Sequence, residues 1–314
     1  MTIAQPSVDA TVDVLATGGQ SSLRKDTLRN ILRQRSAVLG LIIVATLVFV
    51  AIFAPFIAPF DPNTSMLDLG LPGTRGAPPC IHLLGCPADQ PQHLMGLDSN
   101  IRDEFSRVVF GARVSLLVGF VTVGLGILIG TAIGAIAGYA GGGTDNVAMR
   151  SMDVVLAFPS LILAIFLVTI MGAGLYQAML AIAIVSIPIY ARVMRASVLS
   201  VREADFVTAS RALGESSTGI LTRRVLPNAL TPLIVQATLG IGAAILEVAA
   251  LSFVGVGAAP PLAEWGSMIA SDRNLFFSAP HLIFFPGVAI TLCVLGFNLI
   301  GDGLRDALDP RLNR

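Results

Sequence analysis

Five stretches of this chain carry no charged side chain over a length that can cross a bilayer: Ser36 to Phe60, Val114 to Thr144, Val154 to Ala191, Val225 to Leu246 and Asn274 to Gly301. A helical span needs about 20 apolar residues, and all five runs reach that length. With 54% hydrophobic and 13% charged residues, the chain is far from soluble domains, which carry about 25% charged residues. The sequence predicts an all-α integral membrane protein.

The third run is too long for one helix and holds Met171-Gly172-Ala173-Gly174 near its middle, so it divides in two. Six spans result: 36–58, 113–140, 152–172, 176–198, 229–256 and 281–302. The fifth continues past Glu247 until Gly255, Gly257, Pro260 and Pro261 break it. Six crossings put both termini on one side. Fifteen Lys and Arg residues fall on that side and five on the other, and positively charged flanks stay cytoplasmic. The tails 1–35 and 303–314 and the polar segment 201–227 are therefore expected inside, and the loops 59–112 and 257–280 outside. A cleavable signal has an apolar core of about 7–15 residues near the N-terminus. The longer first run, preceded by a polar tail, predicts a retained anchor, with residues 1–20 disordered.

Outside, Asp61 to Gln92 is dense in Pro and Gly and reads as an irregular loop. Cys80 and Cys86 lie where a disulfide can form. Free thiols are the alternative, and a metal site with His82 and His93 matches no standard zinc spacing. From Asp98 to Phe110, apolar Ile101, Phe105, Val108 and Val109 alternate with charged residues. This predicts an amphipathic helix over about 98–110, capped by Asp98 or Ser99 and lying along the external membrane surface, or serving only as a packing surface. In the second span Gly126, Gly130, Gly134 and Gly138 recur every four residues, a stripe that lets another backbone approach. Pro159 and Pro188 permit kinks. Cys293 reads as a small core residue.

The only lysine is Lys25, outside any glycine loop, so no G-x-x-x-x-G-K-[S/T] phosphate cradle exists. Metalloprotease, hydrolase and C-x-x-C signatures are missing as well. No catalytic residue, metal or cofactor is expected on this chain. An ion-driven carrier usually holds ionisable residues in several spans. Here Glu247 stands alone, since Asp153, Arg192, Arg195 and Asp302 lie at membrane edges. Glu247, with Ser252 and Phe253, is expected on the translocation path; a structural hydrogen bond between helices is the other reading of Glu247.

Within the polar segment, Phe206, Ala209, Ser210 and Leu213 share one helical face, with Asp205 placed as cap and Gly214 as stop. A second short helix starts at Ser216 or Ser217 and runs to about Val225, before Pro227. Two short helices meeting at a glycine form a knob that suits a groove on a partner.

Here the chain resembles the membrane subunits of binding-protein-dependent ABC importers, whose cytoplasmic signature is E-A-A-x3-G-x9-I-x-L-P. Ala209, Gly214, Leu226 and Pro227 match, while Thr208, Ser210 and Arg224 depart from it. Asp205-Phe206-Val207, Ala209, Arg211-Ala212-Leu213-Gly214 and Leu226-Pro227-Asn228-Ala229 are similar to the dipeptide, oligopeptide and nickel branch. Two further segments resemble its C-type subunit. One is His93 and Gly96 to Asp98, with Arg102-Asp103, Ser106-Arg107, Gly111, Arg113 and Ser115-Leu116. The other is Leu251 to Gly257 with Pro260, Pro261 and Trp265-Gly266. Leu97 and Ile101 stand where the family motif has Thr and Gly.

The resemblance implies a six-span type I importer permease, with a permease domain over about 112–312 and cytoplasmic coupling helices in the inner membrane. It implies a B-type permease partner, two ATPase subunits that hold ATP and Mg, and an external solute-binding protein. The cargo implied is a di- or oligopeptide, with nickel, glutathione and sugars open; nucleic acid has no part. Asp205, Phe206, Ala209, Ser210, Arg211, Leu213, Gly214, Leu226 and Pro227 would couple the ATPases to the spans. A self-contained secondary carrier and a non-transporting scaffold are the rivals.

Overall fold

The computed structural model describes residues 34–308 apart from 88 and 89. The expected disordered tail over 1–20, most of the basic N-terminal flank and the last residues of the C-terminal tail lie outside the described residues. The described chain is helical, with only the isolated bridges Cys80–His93 and Leu97–Asp103 besides.

Nine principal helices organise the described residues: α1 Arg35–Ile57, α2 Glu104–Ala140, α3 Gly142–Leu156, α4 Ser160–Met171, α5 Leu175–Val201, α6 Asp205–Ala212, α7 Thr231–Val254, α8 Trp265–Asp272 and α9 His281–Leu308. Helices α1, α2, α5, α7 and α9 are long and apolar enough to cross a membrane, and α3 with α4 makes up to six if that bent pair is one span. This is the expected all-α membrane architecture.

Its centre is the α2–α5 interface, the largest between any two of these helices. The glycine stripe creates it. A Cβ at Gly130 would stand 2.8 Å from the Ile187 carbonyl, one at Gly138 3.0 Å from the Arg195 carbonyl, and one at Gly134 would meet the Ala191 carbonyl closer still. Lipid supplies no hydrophobic drive between helices, so such close backbone contact carries their association. Pro188 is accommodated within the unbroken α5.

One expectation is corrected. The helix over 98–110 is not a separate surface element. Helix α2 begins at Glu104 with Asp103 as N-cap, its carboxylate accepting from the Ser106 N–H at 2.8 Å, and runs on as the second span. Asp98 instead folds back on the Asn100 and Arg102 N–H groups, both at 2.8 Å. The charges that looked water-facing are covered: Asp98, Arg102, Glu104 and Arg107 are buried, and Arg102 and Arg107 pair with Asp98 at 2.7 and 3.4 Å.

In the expected third span, 152–172, Pro159 does kink the chain, as the sequence permits. It bends by 89° between α3 and α4. Pro159 lacks an N–H and keeps the preceding residue out of the helical region, which ends α3 there. On the α3 side, Asp153 pairs with Arg192 at 2.6 Å and Asp145 takes both guanidinium arms of Arg195, Nη2 at 2.6 Å, so α3 is tied to α5.

Candidate functional site

Three places concentrate polar chemistry: the knob after α5, a cavity between two apolar helices, and the segment between α1 and α2. In the knob, Asp205 is the first residue of α6 and caps nothing; Ala204 holds the cap position without a side-chain acceptor. The C-terminal stop is at Gly214 as expected. Its φ is +82°, its N–H bonds the Arg211 carbonyl at 3.0 Å, and the Glu215 N–H reaches the Ser210 carbonyl at 3.2 Å. That pair of bonds satisfies carbonyls a helix end leaves orphaned and requires the left-handed residue between them.

The next helical piece starts with Ser216, whose hydroxyl accepts from the Gly219 N–H at 3.2 Å. It does not end at Val225. It passes through a π-helical stretch, Ile220–Val225, into Leu226–Ala229, and Pro227 is tolerated in that piece's first turn. Buried Val207, Ile220 and Val225 pin the knob to the bundle. On its outer side Leu213 is 88% and Phe206 44% exposed. Asp205, Ala209, Arg211, Gly214 and Pro227 are exposed too, with Ser210 and Leu226 half-buried. The knob thus presents two large apolar side chains and a cation on a rigidly held, otherwise polar tip.

Between α5 and α7 lies a cavity of about 200 Å³. Ser186 and Tyr190 enter it from α5, and Gln236, Gly240, Ala243 and Glu247 from α7. The small residues make the space; the Tyr190 hydroxyl rests directly on Gly240, where any Cβ would displace it. Ser252 and Phe253 are not part of this cavity. The Ser252 hydroxyl is buried and accepts from the Ala258 N–H at 3.0 Å, bracing the turn after α7. Phe253 lines an apolar depression on another face with Leu246 and Ala249. They follow Glu247 closely, but helical periodicity turns them away from it. Sequence reasoning missed Ser186, Tyr190 and Gln236; their signal is spacing, i to i+4 on α5 and three turns before Glu247 on α7.

In the segment between α1 and α2, the Cys80 and Cys86 sulfurs are bonded, with Cα atoms 5.3 Å apart. Asp272 in α8 accepts from the Ser99 N–H at 3.2 Å, and Glu264 caps α8 through the Gly266 and Ser267 N–H groups at 2.9 and 2.8 Å. Burial pushes both carboxyls above the usual range, and these hydrogen bonds offset part of it. No group of three His, Cys, Asp or Glu among the described residues could hold a metal ion.

Comparison with known proteins brings these features together. The family model for the binding-protein-dependent transport system inner membrane component matches residues 130–314, and that for the N-terminal TM domain of oligopeptide transport permease C matches 22–79. The chain belongs to this permease family. The dipeptide transport system permease protein DppC of Alkalihalophilus pseudofirmus is 44% identical over 92% of this chain and 90% of its own. DppC of Escherichia coli K12 is 47% identical over 90% and 91%. The glutathione transport system permease protein GsiD of Pectobacterium atrosepticum is 39% identical over 96% of each. Among solved structures, the MetNI methionine ABC transporter in an inward-facing conformation aligns with a TM-score of 0.54 at 21% identity, over 65% of this chain and 97% of that one. The permease therefore has the helical core of a type I ABC importer, preceded by α1 and the segment that follows it.

Proposed function

We propose that this permease forms the C-type half of a heterodimeric channel for di- and oligopeptides, driven by ATPase subunits on its cytoplasmic face. The knob after α5 carries the reading. A chain without a phosphate cradle does not hydrolyse ATP by that route, and with one ionisable residue inside its spans it lacks the usual equipment of an ion-driven carrier, so a partner is the favoured source of force. A rigid tip bearing exposed Phe206 and Leu213 fits a groove on such a partner, and its buried anchors pass displacement to α5 and α7. ATP and Mg belong to the ATPases, a solute-binding protein delivers cargo from outside, and both termini face the cytoplasm, as the distribution of basic residues favours. The peptide assignment draws on relatives named for dipeptides, extensive in identity and coverage.

The test is reconstitution in proteoliposomes with the partner permease, the ATPases and the binding protein. Expected is ATP-dependent uptake of a labelled dipeptide, lost on omitting the ATPases. Uptake by this chain alone in an ion gradient would overturn the reading.

A further inference from the structure

We infer that the cavity between α5 and α7 is a recognition site for the α-ammonium group of the peptide in transit, with Glu247 as its counter-charge. This rests on the peptide-channel reading above and names the chemistry that selects the cargo inside the membrane.

The lining holds a single charged side chain, and it is acidic. Glu247 lies two turns beyond Gly240 on the face of α7 that also carries Gln236, Ala243 and Ala244. Among the described residues no Arg, Lys or His reaches the cavity, and no cation pairs with Glu247 within 4 Å. A carboxylate placed in a span with no partner is costly, and such residues face cavities and mark transport routes. What compensates an unpaired carboxylate is a cation that comes and goes.

The remaining lining specifies which kind. Three uncharged polar groups accompany Glu247: the Ser186 and Tyr190 hydroxyls and the Gln236 amide. These can exchange hydrogen bonds with a ligand that carries N–H and C=O groups. A bare metal cation prefers several oxygen or nitrogen ligands at once, and no such group of acidic, His or Cys ligands exists among the described residues. Gly240, Ala243 and Ala244 keep the wall between Glu247 and Gln236 free of bulk. About 200 Å³ holds the amino-terminal residue of a peptide rather than a long one entire. A free α-amino group is common to dipeptides and to γ-linked peptides alike, so one carboxylate serves both.

The fully assembled transporter in proteoliposomes tests this with two readouts. In the first, E247Q should lower dipeptide uptake at least tenfold, with E247D retaining more than E247Q, while ATP hydrolysis stimulated by loaded binding protein stays within twofold of the native complex. Uptake by E247Q within twofold of native overturns the inference. In the second, a thiol introduced as S186C in a C293S background is labelled by thiosulfonates bearing either an ammonium or a sulfonate. The ammonium reagent should react faster, and adding E247Q should lower that preference about tenfold. An unchanged ratio, or protection of the thiol by a basic side chain of the partner permease, overturns the inference. If the native complex takes up no dipeptide yet keeps the cation preference, the peptide reading fails and the cation site stands.

Discussion

Asp98 holds Ile101 in a left-handed turn: its carboxylate accepts from the N–H groups on either side of Ile101, at Asn100 and Arg102, both at 2.8 Å, and Ile101 adopts φ +61°. A β-branched residue there is strained by about 1–2 kcal/mol. The turn persists because it is fixed from all sides. The Ile101 N–H bonds the Asp98 carbonyl at 3.0 Å, its own carbonyl accepts from Met66 at 2.8 Å, and Arg102 pairs with Asp98.

The first prediction follows from that strain. Truncating a partly buried isoleucine ordinarily costs about 2 kcal/mol or more. In I101G the relief of strain should cancel most of this, leaving the thermal midpoint of the purified chain near native. I101A loses the side chain without gaining full left-handed freedom and should melt lower than I101G. The reverse order in a thermal-shift measurement would refute the strain.

What the sequence made legible and what it hid divide along physical lines. Long apolar helices, close backbone approach along the glycine stripe and the left-handed turn at Gly214 follow from hydropathy and local backbone rules. Asp98, Arg102 and Arg107 misled, because a charge pattern of helical period reads as a solvated face, and nothing local says that a distant segment will bury and pair it. The 89° bend at Pro159 was visible only as a permitted kink; that Asp145 and Asp153 on α3 meet arginines on α5 is a long-range pairing no local pattern announces. Of the cavity, Glu247 was legible as a charge in a span. Ser186, Tyr190 and Gln236 became meaningful only once α5 and α7 were seen side by side.

The second prediction concerns pH. Burial raises the Asp272 carboxyl above its ordinary value, so its ionised form opposes folding. A raised folded value means the contribution to stability is full below the unfolded value of about 4 and is lost as pH rises through the folded value. D272N, which can still accept from Ser99, should therefore be more stable than native near pH 7, and the gain should shrink as pH falls toward about 4. A gain that grows on acidification would contradict the assignment.

The third prediction concerns the segment between α1 and α2. The Cys80–Cys86 bond closes a short loop beside the Cys80–His93 bridge. Removing it in C80S/C86S should cost about 2 kcal/mol in the chain-entropy account, confined to that segment. Limited proteolysis should cut near residues 80–92 faster in the variant, while the main thermal transition of the bundle stays in place. Cleavage unchanged from native would show that the bridge constrains nothing.

The fourth prediction separates packing glycines from incidental ones. G134V drives a branched side chain into the Ala191 carbonyl, a backbone atom that cannot rotate away. Overpacking of this kind costs about 1–3 kcal/mol where side chains can yield, and more where they cannot. Gly124 lies on the same helix with nothing within 4 Å of where its Cβ would be. G124A should leave stability within about 0.5 kcal/mol of native or raise it slightly, since alanine favours the helix. Detergent-solubilised yield and thermal midpoint of the two variants should therefore diverge sharply, and equal behaviour would remove the stripe's role in joining α2 to α5.

The last prediction tests the knob as a transmitter. A Cβ added at Gly214 would stand in open space, so substitution brings no clash; the φ of +82° alone resists it. G214V should cost about 1–2 kcal/mol at that residue, either unwinding the last turn of α6 or swinging Leu213 away from its exposed position. The spans, held by the α2–α5 interface, should insert and melt as before. Uptake per ATP hydrolysed in the assembled transporter should fall several-fold, and G214N, whose side chain tolerates the left-handed region, should recover most of it. Equal coupling in G214V and native would exclude a mechanical role for this turn, whereas recovery by asparagine would trace the defect to backbone conformation rather than to lost contact area.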